Sequence, residues 1–198
     1  ILQAVLYGWF VRRVQRFART ASPQTQDILH LLASEMNLKR SPAILVSPLV
    51  QTPVLVGIFK PILYLPQREY SHDEKRLTLR HELVHYRRHD VLYKFIFLLV
   101  CAVHWYNPVV WLLSRQAAKD IEIACDDVIV NGLDNGQRAL YGQVILDGII
   151  RKRSMVSVLS TQLGGSKRTI KQRLKNLFDF KAKRHGALAL CAVVLSLG

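Results

Sequence analysis

The chain has 198 residues, with 28 Lys+Arg against 14 Asp+Glu, a net charge of +14, and hydrophobic residues making up half of it. A basic disordered tail would be poor in large apolar residues, a collagen-like chain would need far more than 10 Gly and 7 Pro, and a disulfide scaffold more than 3 Cys. The length suits one domain with short appendages, and the charge leaves two explanations: nucleic-acid binding, or a position against an anionic membrane face.

The first ten residues (ILQAVLYGWF) carry no charged group, and Arg12, Arg13, Arg16 and Arg19 follow with no acid among them. At the other end, residues 151–185 hold eleven Lys/Arg against one acid, Asp179, and the apolar run Ala187–Leu197 comes next. Each terminus is therefore an apolar run bordered on its inner side by bases. Neither run reaches the roughly 20 residues that span a bilayer. The pattern predicts two membrane helices cut by the chain ends, with residues 1–17 as the end of one helix and its basic border. Residues 18–185 form a cytoplasmic domain, and 186–198 begin the other helix. The alternative is a pair of buried helices in a soluble domain. Residues 1–10 lack the basic start and cleavage site of a signal peptide.

Between these ends, Pro23–Met36 reads as an amphipathic helix with Ile28, Leu31, Leu32 and Met36 at helical spacing. Prolines at 42, 48, 53, 61 and 66 punctuate β-branched runs, which predicts short strands at Ile44–Val46, Val54–Val56 and Ile62–Leu65. Proline at that density argues for edge strands or bent hairpins. Ser71 and Glu74 form a capping box that opens a helix over about 72–89. The apolar stretch Val91–Tyr106 is broken by Asn107-Pro108 and resumes at Val109–Leu113. Its halves are too short to span a bilayer, so a helical hairpin is expected, either buried or dipping into a membrane interface beside Trp105, Tyr106 and Trp111. A helix from Val109 to Val130 should stop at Asn131-Gly132, and Asn135–Arg151 reads as another. Residues 155–166 read as a strand-to-turn segment or a loop, and Lys167–Phe178 as a basic amphipathic helix. That last helix would contact anionic lipid or dock an acidic partner. There is no internal repeat. The sum is an α+β chain, mainly helical, with a small N-terminal sheet.

The chemistry sits in the helix opened by Ser71, where His81-Glu82-Leu83-Val84-His85 is HExxH. Residues four apart stack on one helical face, so both imidazoles can reach one Zn²⁺. Glu82 is then placed as the general base for a water that zinc acidifies. Zinc needs a third protein ligand and an open position. His89 lies a further turn along and out of reach. Glu122, the only glutamate after the motif, lies on the returning helix and is the candidate ligand. Asp126, one turn on, is a candidate acceptor for the second N–H of a ligand imidazole. Asp126 and Asp127 could equally form a solvated acidic face. Tyr141 and Arg138 are candidate donors to a transition-state oxyanion, with Tyr141 as readily a core residue. Cys101, Cys125 and Cys191 fit no CxxC pattern, and Cys125 is expected to pack beside the site as a small apolar residue.

The segments SPLVQTPVLVGIFKPILYLP (47–66), RHELVHYRRHD (80–90), HWYNPVVWLL (104–113) and EIACDD (122–127) resemble, in order and spacing, the zinc peptidase domain of the BlaR/MecR-type antirepressor membrane metallopeptidases. The resemblance is strong over roughly residues 40–135 and weak over the flanks. It implies a gluzincin-type domain with Glu122 as third ligand. It also implies a position in a multi-pass cell-membrane protein, between transmembrane helices and on the cytoplasmic side. The implied activity is zinc endopeptidase action in signal transduction linked to β-lactam resistance. In that role the protein cleaves its own chain and inactivates a winged-helix transcriptional repressor. Its partners would be those protein substrates, membrane lipid and a second copy in a homodimer. Ser157–Ser166 falls where the family's self-cleavage site lies, and would otherwise be an ordinary surface loop. Two other readings stay open: a non-proteolytic signalling scaffold held together by zinc, and a membrane quality-control protease. Direct nucleic-acid binding is not expected, because the bases cluster beside apolar runs and no DNA-binding motif is present.

Overall fold

A computed structural model describes residues 2–154 and 167–178. In chain order these form α1 (Leu2–Arg16), β1 (Arg19–Thr20), α2 (Pro23–Glu35), β2 (Ala43–Ser47), β3 (Val54–Val56) and β4 (Ile62–Pro66). Five helices follow: α3 (His72–Arg87), α4 (Asp90–Val103), α5 (Pro108–Val130), α6 (Asn135–Ser154) and α7 (Lys167–Phe178). The architecture is α+β and mainly helical, as expected. The segments 155–166 and 186–198 lie outside the described residues, so the expectations for the Ser157–Ser166 loop and the C-terminal apolar run do too. No helix among the described residues is long and apolar enough to cross a membrane.

The four strands make one mixed sheet in the order β1-β2-β4-β3. β2 and β4 run parallel, with Leu45 opposite Tyr64, and β3 folds back antiparallel on β4. The prolines suggested edges and bent hairpins, yet β4 is interior. Its prolines sit at its ends, where they cost no ladder bonds. Gly57 makes the β3–β4 turn possible. Its φ is 102°, and a Cβ there would stand 2.9 Å from the Lys60 carbonyl oxygen. The two-residue β1 is too short to leave a sequence signature.

Ser22 caps α2 by accepting from the Thr25 amide, with Pro23 at the first helical position. Its inward stripe is Thr25, Leu29, Leu32 and Ala33. The anticipated Leu31 is instead more than half exposed, because the helix turns a neighbouring face to the sheet.

α3 lies between two cores and is gripped on both sides. Leu79 and Leu83 pack with Leu29, Leu32, Leu63 and Leu65 of α2 and the sheet. Leu77 and Val84 pack with Cys125, Ile129, Tyr141 and Leu177 of α5, α6 and α7. Half of the expected capping box forms: the Ser71 hydroxyl accepts from the Glu74 amide at 3.1 Å. The Glu74 carboxylate turns instead to Arg68, at 2.5 Å. The helix ends at Arg87, two residues before the expected stop, because His89 adopts a left-handed conformation with φ 56°. That reversal starts α4 in a new direction. Asn107 caps α5 through the Val109 amide. Asp134 and Gln137 exchange hydrogen bonds ahead of α6, a reciprocal cap. α7 closes on α6 where Gly142 admits Leu177 and Leu174.

Candidate metal centre

Side chains from α3, α4, α5, α6 and α7 converge at the C-terminal half of α3. His81 and His85 stand one turn apart with their ring planes nearly perpendicular and their Nε2 atoms 3.0 Å apart. Glu122 comes in from α5, with one oxygen 3.8 Å from His81 Nε2 and the other 3.9 Å from His85 Nε2. Those separations exceed hydrogen-bond length. Glu122 therefore faces the two imidazoles without hydrogen-bonding either, while their Nε2 atoms lie within hydrogen-bond distance of each other.

Asp126 accepts two hydrogen bonds from Arg173 and one from the Tyr141 hydroxyl. The single Tyr141 proton is thereby committed, and its oxygen must accept from His81 Nδ1 at 2.7 Å. His81 thus carries its proton on Nδ1 and presents a bare Nε2. His85 donates from Nδ1 to Asp90 at 2.6 Å, which leaves its Nε2 bare as well when the ring is neutral. Two lone pairs 3.0 Å apart repel unless a proton or a metal cation lies between them. The donor set of two imidazoles and one carboxylate fits a zinc-type ion, and each imidazole has the oriented second nitrogen that metal-binding histidines show.

Burial would raise the Glu122 carboxyl, but His85, Lys94, His81 and Arg173 outweigh it and hold it down to about 2. Burial, reinforced by the charge of His85, pushes His81 well below the usual histidine range. Burial also works against a charged His85, but its bond to Asp90 and the charges of Glu122 and Glu82 win, and it is raised. Arg173 stays firmly charged despite its burial, held by Asp126 and Glu122.

A second grouping overlaps the first. His81, His85 and Cys125 can each offer a ligand atom within 4.8 Å of the others. Cys125 Sγ, however, lies 3.4 Å from His81 Nδ1, the nitrogen already bonded to Tyr141. A cation held by both Nε2 atoms would lie on the opposite edge of that ring, the edge Glu122 faces. Burial and the Asp126 charge also push the Cys125 thiol up, away from the thiolate a metal would need. Cys125 is fully buried against Val84 and Ile129 as an apolar packing residue.

Glu82 is buried on α3 beside His81 and interacts electrostatically with His85. Asp126 is 3.9 Å from His81 Nδ1, so it reaches that ring through the Tyr141 hydroxyl rather than directly. Tyr141 is buried with its hydroxyl spent on this chain, on the Nδ1 side of His81. A reacting oxygen on the metal side would receive no donation from it. Arg138 donates to the carbonyls of Leu133 and Val130 at the end of α5, away from the histidine pair.

Three contributors escaped the sequence reading. Asp90 is 1% exposed and orients His85. The left-handed turn at His89 folds it back, and no periodicity announces such a turn. Arg173 comes from α7, which was expected to meet lipid or an acidic partner. Its NH1 lies 3.4 Å from Glu122, and its Nε and NH2 clasp Asp126. Lys94 Nζ lies 3.5 Å from Glu122.

An α+β domain with a histidine pair on HExxH and a facing glutamate defines the class of HExxH peptidases. The chain belongs to the BlaR1 peptidase M56 family, whose model matches residues 1–177, so the resemblance drawn from the motifs holds. It is 31% identical over 174 residues to the regulatory protein BlaR1 of Bacillus licheniformis, covering 86% of this chain and 29% of that one. It is 26% identical over 198 residues to the regulatory protein BlaR1 of Staphylococcus aureus, covering 98% and 33%. The methicillin resistance mecR1 protein of Staphylococcus epidermidis matches at 25% over 157 residues, 74% and 27%. The chain spans about a third or less of the length of these relatives.

Proposed function

We propose that the chain is the catalytic segment of a gluzincin-type zinc endopeptidase that acts in signal transduction at the cytoplasmic face of a cell membrane. The observation that carries this reading is geometric: the His81 and His85 Nε2 atoms lie 3.0 Å apart, each ring has its Nδ1 engaged by another side chain, and the Glu122 carboxylate faces both at 3.8 and 3.9 Å.

His81, His85 and Glu122 would hold the ion, and zinc bound there would supply Lewis-acid polarisation of a water and of the substrate carbonyl. Tyr141 and Asp126 hold His81 in its Nδ1–H form, and Asp90 does the same for His85. Glu82, next to His81 in sequence, accepts the proton of the attacking water and passes it to the leaving amine. Arg173 and Lys94 keep Glu122 charged and aimed.

The regulatory role rests on the relatives' names, a regulatory protein and a methicillin-resistance protein. The motif resemblance, beyond those names, implies as substrates the chain's own parent and a transcriptional repressor. Metal analysis of the purified chain, paired with cleavage of casein before and after chelation, tests the reading. One zinc per chain and chelator-sensitive cleavage restored by zinc are expected. Cleavage indifferent to chelation overturns it.

A further inference from the structure

We propose that the α4–α5 hairpin inserts, tip first, into one leaflet of an anionic bilayer. The 20 residues Phe95–Ser114 contain no Asp, Glu, Lys or Arg. They fold as two antiparallel helical arms with Cys101 on the buried side between them. On α4 the exposed side chains run from Leu98 through Leu99, Val103 and Ile96 to Tyr93. At 100° per residue this is an arc of roughly 220°. On α5, Val109, Leu112 and Leu113 are more than half exposed. A protein partner covers one face of a helix, whereas apolar exposure around most of the circumference calls for a surrounding apolar solvent.

The turn is built for such a solvent. Asn107 N–H donates to the His104 carbonyl, the Asn107 side chain accepts from Val109 N–H, and the Trp111 indole donates to the Trp105 carbonyl at 3.1 Å. Backbone groups inside lipid must find partners within the protein, and this turn supplies them.

The dimensions select one leaflet. Phe95–Val103 is about 14 Å long, about half of a ~30 Å hydrocarbon core. Lys94, Arg115 and Lys119 stand where the arms leave the apolar zone, against one exposed acid, Asp120, so the rim suits anionic headgroups. The same arms carry the site. Glu122 lies about 10 Å along α5 from Arg115. If the peptidase reading holds, insertion places bond cleavage close to the membrane surface and selects juxtamembrane segments as substrates.

The test uses the full chain with Trp9→Phe, so that Trp105 and Trp111 alone report, and vesicles of equal parts phosphatidylcholine and phosphatidylglycerol. Quenching of this fluorescence by brominated acyl chains, with a blue shift, is expected. The double variant Leu99→Asp/Leu112→Asp should partition about a hundredfold more weakly while retaining the zinc content of the parent. Unquenched tryptophan on vesicle-bound chain overturns the proposal, since other segments would then be the anchor. So does a hairpin buried in a vesicle-independent dimer. Loss of peptidase activity alone would leave the quenching in place, which separates this proposal from the enzymatic one.

Discussion

His81 Nδ1 and Asp126 Oδ1 lie 3.9 Å apart, beyond hydrogen-bond length, and the Tyr141 hydroxyl bridges them, 2.7 Å from each. The phenol relays the charge of a buried carboxylate to the far side of a candidate ligand ring and fixes its tautomer. Removing only that oxygen should therefore loosen the metal. Tyr141→Phe is expected to weaken zinc affinity by about 10–100-fold with the fold intact, read by competition with a chromophoric chelator. Unchanged affinity would show that the relay is inert.

Asp90 plays the corresponding part for His85 through a direct 2.6 Å bond. Asp90→Ala should cost a similar about 10–100-fold in zinc affinity. Asp127→Ala, on the same helix as Glu122, should cost much less. Equal losses in the two variants would mean that general acidity rather than geometry matters.

Arg173 clasps a carboxylate that is 1% exposed. Arg173→Ala leaves that charge buried without its partner, and a loss of about 3–5 kcal/mol is expected in denaturant unfolding. Adding Asp126→Asn removes the charge and should recover much of the loss. A single variant as stable as the parent would contradict the buried pair.

The two candidate ligand sets differ in one residue, and substitution separates them. Cys125→Ala should keep full zinc content and lose about 1 kcal/mol of stability as a packing change. Glu122→Gln should lower zinc affinity more than the roughly 10–100-fold expected of a supporting residue. The reverse pattern would assign the third position to sulfur.

The start of α3 carries a pH signature. Tyr70 is raised from 10.0 to about 12, chiefly by burial, under the Arg68 guanidinium 3.6 Å above its ring. The folded state favours the neutral phenol. Its contribution is whole below pH 10 and fades as the pH rises through about 12. That amounts to about 2–3 kcal/mol, and Tyr70→Phe should remove this alkaline loss from unfolding curves measured across the interval.

Much of this was legible in the sequence, and what was not has a physical cause. HExxH, the Ser71 cap and the Asn107-Pro108 break are local patterns that helix geometry places, whereas Glu122 was reached as the only glutamate after the motif, on the returning helix, and through the family resemblance. The parallel β2–β4 pairing and the two-residue β1 depend on long-range contacts that no periodicity encodes. Asp90 needed a left-handed histidine, which is uncommon. Arg173 lies 51 positions beyond Glu122 on a helix whose charge pattern suggested a solvated or lipid-facing surface. One arginine of that basic face turned out to be structural. Tyr141 was proposed from its position, and only the proton accounting around Asp126 reassigns it to His81.

The account stands most directly on Glu82. Glu82→Gln keeps the size of the side chain and removes the base, while leaving His81, His85 and Glu122 in place. Zinc content and peptide-bond cleavage should be measured on the same preparation. The account predicts parental zinc content with cleavage lowered by at least about a hundredfold. Parental cleavage by that variant would contradict it.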